Sequence, residues 1–234
     1  MKKLFALMII VCLTLPAVSQ ISPYLEKGKS GFGLNAGYEQ ANGFSGMLGN
    51  LGFSYKGIFD IEANVFSDGY YKDAEGILRD DATSLGFMGC INWWLLRKQP
   101  TPMAEVLVGL TAGVEHFAYN KYTYLDPGTG ENTDYHGSTD GLFGFDSRVK
   151  FRLDDSWSLM PGFAVVYSLG TETYSDVNGD YSSMYNGFMS RQGVSVSKRL
   201  DKGNIVYFEA NHYTSTFDSH DYYEAKIGFV FSQK

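Results

Sequence analysis

The chain reads as an all-β protein, an antiparallel up-and-down transmembrane β-barrel of about ten strands behind a cleaved signal peptide. Three observations predict this. The C-terminal stretch 222–231 alternates Tyr223, Ala225, Ile227, Phe229 and Phe231 with Tyr222, Glu224, Lys226 and Gly228. Successive side chains of a strand point to opposite faces, so this strand has one apolar and one polar side. Roughly ten residues tilted by ~45° cross the hydrocarbon core of a bilayer, and aromatics at both ends suit its two interfaces. The second observation is that the pattern recurs along the chain. The third is that short turns alternate with longer, more polar connections.

The leader comes first. Met1-Lys2-Lys3, an apolar run from Leu4 to Leu15, and Pro16-Ala17-Val18-Ser19 have the charge, length and small residues of a secretory signal peptide. Cleavage after Ser19 makes 1–19 the signal peptide and 20–234 a single barrel domain beginning at Gln20. Cys12 goes with the leader, so Cys90 alone remains and no intramolecular disulfide framework is expected. Past the leader no apolar run is long enough for a membrane helix, which leaves a closed barrel as the only way to satisfy the backbone in lipid.

Residues 20–29 read as a short polar lead-in. Strand one, about 30–38, sends Phe32, Leu34, Ala36 and Tyr38 outward. Strand two, 45–55, sends out Met47, Leu51, Phe53 and Tyr55, and Lys56-Gly57 turns the chain. Strand three, 58–67, alternates Phe59, Ile61, Ala63 and Val65 with Asp60, Glu62 and Asn64. Strand four, 82–96, shows Leu85, Phe87, Ile91, Trp93 and Leu95 outward, and a turn with two prolines follows through 102. Strand five, 103–118, sets Val106, Val108, Leu110, Ala112 and Val114 against Glu105, Gly109, Thr111, Gly113 and Glu115. Strand six, 140–153, sets Phe143, Phe145, Val149 and Phe151 against Asp146, Arg148, Lys150 and Arg152. Strand seven, 157–169, carries Trp157, Leu159, Phe163, Val165, Tyr167 and Leu169. In strand eight, 185–199, Ser190 and Gln192 interrupt the apolar row. Strand nine, 204–215, precedes the last strand.

Short turns at 56–57, 97–102, 154–156 and 201–203 alternate with connections at 39–44, 68–81, 119–139, 170–184 and 216–221. Short turns on one rim and longer loops on the other are the outer-membrane arrangement, which a Greek-key sandwich has no reason to follow. Aromatic content is 16%, and the net charge of −7 becomes −9 once Lys2 and Lys3 leave. A surface of that sign excludes nucleic acid as a partner.

At this point the chain resembles the small bacterial outer-membrane β-barrel proteins, including those of Bacteroidetes. The resemblance covers the whole mature chain: signal peptide, Gln20 start, aromatic-ended strands and the ending Gly228-Phe229-Val230-Phe231, after which Ser232-Gln233-Lys234 follow. It implies an address in the cell outer membrane and a barrel fold; beside it, the expectation is a monomer in contact with outer-membrane lipid and lipopolysaccharide. The resemblance also implies a last strand that is read by the barrel-assembly machinery.

Parity gathers a lumen charge network: Asp60, Glu62, Glu105, Glu115, Asp146, Arg148, Lys150, Arg152, Arg191, Glu209, Glu224 and Lys226. Its first reading is a salt-bridged plug that stiffens the barrel, and its second a narrow path for small solutes. Wide aqueous channels belong to roughly sixteen strands or more. The predicted loops are rich in tyrosine, and Tyr70, Tyr71, Tyr122, Tyr124 and Tyr135 form a candidate recognition surface. The expected role is structural or recognition-based, without catalytic residues, metal or cofactor. Three weaker signals stand beside it. Asp176-Val-Asn178-Gly-Asp180 opens like a calcium loop, but Tyr181 stands where the EF-hand pattern needs glycine. Asn211-His212-Tyr213-Thr214-Ser215 faintly resembles the His-x-Ser motif of lipid A deacylases, with Thr214 in the serine's place. Asp218, His220 and Asp221 have the residue types of outer-membrane protease loops. A soluble secreted barrel would instead bury the outward rows in a core.

Overall fold

A computed structural model describes residues 21–41, 43–70, 81–125, 130–216 and 221–233. The leader, 1–19, lies outside the described residues. Ten antiparallel strands follow one another around the wall: β1 (Ser30–Ala41), β2 (Phe44–Tyr55), β3 (Phe59–Tyr70), β4 (Thr83–Thr101), β5 (Ala104–Leu125), β6 (Asn132–Arg152), β7 (Trp157–Asp176), β8 (Gly179–Arg199), β9 (Ile205–Ser215) and β10 (Tyr222–Gln233). Each pairs with its sequence neighbours, and β1 pairs with β10 from Ser30↔Gln233 to Ala41↔Tyr222, which closes the barrel. Closure removes the free edges that an open sheet would present to lipid.

Alternation sorts the side chains as the strand period requires. The outer face carries a belt of exposed large apolar groups, among them Met47, Leu51, Ile61, Phe87, Leu110, Phe143, Phe188 and Ile227. Ile227 is 63% exposed and Leu51 is 62% exposed, values no water-facing sheet sustains around its whole circumference. The inside is polar and charged. That inversion excludes the soluble alternative, whose apolar rows would be buried, and it makes the barrel a membrane-spanning one. Aromatics mark the inner end of the belt: Phe32, Tyr55, Trp93, Phe151, Trp157 and Phe231 are exposed there. Lysines sit over two of these rims, Lys56 over the Tyr55 ring and Lys198 over the Trp157 ring. Lys56 and Gly57 both take positive φ, 54° and 62°, as the tight β2–β3 turn demands.

The strands run longer than the alternation of apolar residues implied. β5 to β8 have 20 to 22 residues, whereas β1, β2, β3, β9 and β10 have 11 or 12. The segments 119–139 and 170–184, expected as loops, are mostly strand. They rise beyond the rim as a four-stranded extension, because β4 pairs with β5 only to Thr83↔Asn120 and β8 with β9 only from Met189↔Ser215. Most of their outward residues there, such as Thr171, Thr173, Ser182 and Asn186, are polar, so hydrophobic periodicity gives little sign of them while backbone pairing continues.

Candidate functional site

The lumen is filled at three levels. At the inner, short-turn mouth the segment 21–25 folds into the barrel, with Ile21, Ser22, Tyr24 and Leu25 all buried. This corrects the reading of 20–29 as a polar lead-in. Room for Ile21 comes from Gly33 and Gly52, where any Cβ would lie 2.8 Å and 2.6 Å from its side chain. Charged groups on the wall hold the segment. Asp60 accepts from Ser22 N (3.1 Å), from Ser22 Oγ and from Trp94 Nε1 (3.2 Å). Arg97 donates to the carbonyls of Ser22 (3.1 Å), Gly57 (2.7 Å) and Leu25, and its Nε lies 2.6 Å from Glu105 Oε1. Lys150 Nζ donates to Pro23 O (3.1 Å) and Tyr24 O (3.0 Å). Tyr24 stacks on Tyr207 and its hydroxyl donates to Glu209 Oε2 at 2.5 Å.

The middle level is an ion network. Arg148 lies 3.3 Å from Asp146 and 3.4 Å from Glu209, and Arg191 bonds the other oxygen of Asp146. Lys226 sits 2.8 Å from Glu224 and 3.7 Å from Glu209. Asn211 donates to Glu209 (3.0 Å) and Glu224 (2.6 Å). On the opposite wall Glu62 accepts from Asn50 (3.3 Å) and Asn92 (3.5 Å). Buried charges persist only where partners of this kind surround them.

The outer level differs. Glu39, Asp68, Glu115, Asp140 and Glu172 are buried there, and none of the five makes an ion pair among the described residues. Asp68 accepts from Ser84 Oγ (2.9 Å), and Asp140 accepts from Ser168 (2.7 Å) and Tyr185 (2.6 Å). The carboxyl oxygens of Glu115 and Glu172 have no hydrogen-bond partner among the described residues. Around and above them lies an aromatic cluster that includes Phe44, Phe66, Tyr70, Phe117, Tyr119, Tyr122, Tyr135 and Tyr222. Tyr122 meets Tyr70 and Tyr135 edge-on, with centroids 4.6 Å and 5.9 Å apart.

Of the twelve lumen charges read from parity, eleven are buried inside the wall and Arg152 is half-buried at the inner mouth. Five further charged residues share the lumen: Arg97, Glu39, Asp68, Asp140 and Glu172. Four were hidden in segments that read as loops or turns; Asp140, at the start of strand six, lay beyond that strand's charged row. Arg97 was hidden twice, because a bulge between Trp94 and Leu96 exposes both Leu95 and Leu96 and switches the parity beyond them. The candidate recognition tyrosines also need correction. Tyr70, Tyr122, Tyr124 and Tyr135 lie on strands and point inward, buried, because β3, β5 and β6 continue past the expected ends. Tyr71 lies outside the described residues.

Asp176 to Asp180 form the tight β7–β8 turn, where Asn178 N donates to Asp176 Oδ1 at 2.7 Å. The oxygen pattern there serves an Asx turn. No cluster of metal-binding residue types occurs among the described residues. His212 faces outward, 3.0 Å from Asp221 and stacked on Tyr223, while Thr214 bonds Ser190 at 2.7 Å. Glu224 lies on the opposite, inner side of the wall, so no acid–histidine–hydroxyl set with Glu224 forms on the lipid face. Asp218 and His220 lie outside the described residues.

No family model matches the chain, and no curated protein matches it. Solved structures with similar folds include the outer membrane protease OmpT from Escherichia coli, at 12% identity and a TM-score of 0.48 over 88% of this chain and 96% of that one. The β domain of the Bordetella autotransporter BrkA shares 13% identity, with a TM-score of 0.49 over 88% of this chain and 100% of its own. Ail, the attachment invasion locus protein of Yersinia pestis, shares 10% identity, with a TM-score of 0.42 over 89% and 100%. At such distances no activity transfers. The chain's own closed strand order and apolar belt make it a β-barrel of the outer membrane.

Proposed function

We propose that this protein is a closed, non-enzymatic outer-membrane barrel that acts by recognition through its outer end. The supporting observation is the lumen, occupied from end to end by the segment 21–25, the ion network and the aromatic cluster, beneath a four-stranded extension raised beyond the belt. A plugged barrel has no path to offer a solute, whereas the extension carries β5, β6, β7 and β8 beyond the belt. Its exposed side chains include Val177, Tyr181 and Met184, apolar groups above the belt at the β7–β8 end. The proposal extends to a monomer in contact with lipopolysaccharide, with β10 as the strand read at assembly, and to the barrel proteins of Bacteroidetes as its kin, on the sequence features quoted above.

Two measurements test it. Planar-bilayer recording of the full chain is expected to show no stepwise conductance; openings that change with substitutions at Glu115 or Arg148 would replace recognition by transport. A photo-crosslinking side chain at position 184, in cells bearing the protein, is expected to capture discrete adducts. Absence of adducts there and at 181 would remove the recognition role.

A further inference from the structure

The inner mouth holds a feature that neither the plug nor the ion network explains. Beside Tyr24 a cavity of about 520 Å³ opens between the β5–β6 and β7–β8 walls and the β6–β7 turn. Three cationic side chains line it: Lys150, Arg152 and Arg199. Arg199 is neutralised by Glu26 at 2.7 Å. The other two are not. Lys150 stands opposite Glu105 in the sheet, but Arg97 holds that carboxylate, and Lys150 spends two of its three N–H groups on neutral carbonyls. The Arg152 backbone N–H donates to Met103 O at 2.8 Å, but its guanidinium makes no ion pair or hydrogen bond among the described residues.

The register sets hydroxyls in line with these charges. Arg152 pairs with Ser158, and Ser158 pairs with Ser197, so a guanidinium and two hydroxyls form one row across β6, β7 and β8 with Lys150 two residues farther in. Two acids lie at the lip. The Asp154 carboxylate is committed to the turn, accepting from Ser156 N and Trp157 N at 2.7 Å each, and Asp155 is exposed.

We infer that this inner-mouth pocket binds a phosphate group, held by Arg152, the third N–H of Lys150, and the hydroxyls of Ser158 and Ser197. The fork of a guanidinium suits two phosphate oxygens at once, and the Lys150 amine behind it keeps one N–H to donate. Phosphate reaches this position from two sources, a soluble periplasmic phosphate compound or the headgroup of an inner-leaflet phospholipid. The shared chemistry is the phosphate oxyanion.

The test uses the full chain in mild detergent, with heat-modifiable gel mobility as the check on folding. Calorimetric titration with inorganic phosphate is expected to show saturable one-site binding, weakened at least tenfold by Arg152→Gln and unchanged by Lys121→Gln on the opposite rim. If Arg152→Gln fails to fold, the double variant Ser158→Ala, Ser197→Ala carries the same expectation. Displacement of phosphate by a short-chain phosphatidylglycerol identifies a lipid source, and failure to displace identifies a soluble one. No saturable binding, or binding that the folded pocket variants leave unchanged, overturns the inference.

Discussion

Glu209 and Glu115 are both buried glutamates on inward positions of the wall, yet their surroundings are opposite. Glu209, in the inner half, meets Arg148, Lys226, Asn211 and Tyr24. Glu115, in the outer half, meets no donor among the described residues, and one of its two register partners is another acid, Asp140. The inner half is therefore a network in which each charge supports several others and grips the folded-in segment. The outer half relies on aromatic packing and carries its carboxyls without counter-charge. Burial alone does not make a charge structural; what matters is how many partners lose their solvation with it.

Breaking the inner half should have the largest effect. Glu209→Ala leaves Arg148 and Lys226 short of an anion and Tyr24 without its acceptor, and is expected to cost about 3–5 kcal/mol. A downward shift of the denaturant midpoint for loss of heat-modifiable mobility would show it. Tyr24→Ala removes a stacked ring and one hydrogen bond from the plug, with an expected loss of about 3–5 kcal/mol on core-truncation grounds. The same variant should raise the accessibility of Cys90 to a small thiol reagent only if the plug shields the lumen, which sharpens the assignment of 21–25 as a seal.

The outer half should respond with the opposite sign. Glu115→Gln keeps the shape and takes away a carboxyl that has no partner among the described residues, so stability is expected to hold or rise, by up to about 1–3 kcal/mol. A clear loss would mean that Glu115 has a counter-ion in the membrane and that the two halves are alike. The smallest effect lies outside the wall. Two backbone amides and the Ser156 hydroxyl hold the Asp154 carboxyl below the usual carboxylate range. Its folded value lies below its unfolded one, so its contribution is present above the ordinary carboxylate range and fades as pH falls through the lowered value. Asp154→Asn should flatten the acid limb of a stability profile slightly, with little change at neutral pH.

Much of this was legible in the residues. The alternation in β3 and β10, and the alternating turn lengths, announced ten strands with an apolar exterior. Asp60, Arg148, Glu209 and Lys226 could be placed inside by parity. Other positions could not. Arg97 follows a bulge, which is a local backbone event that no periodicity reports. Tyr122 and Tyr135 lie where outward residues become polar above the belt, so the pattern ends although the hydrogen-bonded ladder continues. Ser22 and Tyr24 stand in a stretch whose polarity looks like that of a solvated tail. They are buried because Gly33 and Gly52 leave space and Asp60, Arg97 and Lys150 supply partners from three different strands.

By itself the sequence determined the barrel, its membrane face and the set of charges turned inward, because a strand's two-residue period assigns every side chain to one of two sides. Tertiary structure alone decided which of those charges meet, how far the sheet rises past the lipid and what closes the inner mouth. Those outcomes depend on register between strands and on space left by residues distant in the chain, and neither is written in a local pattern.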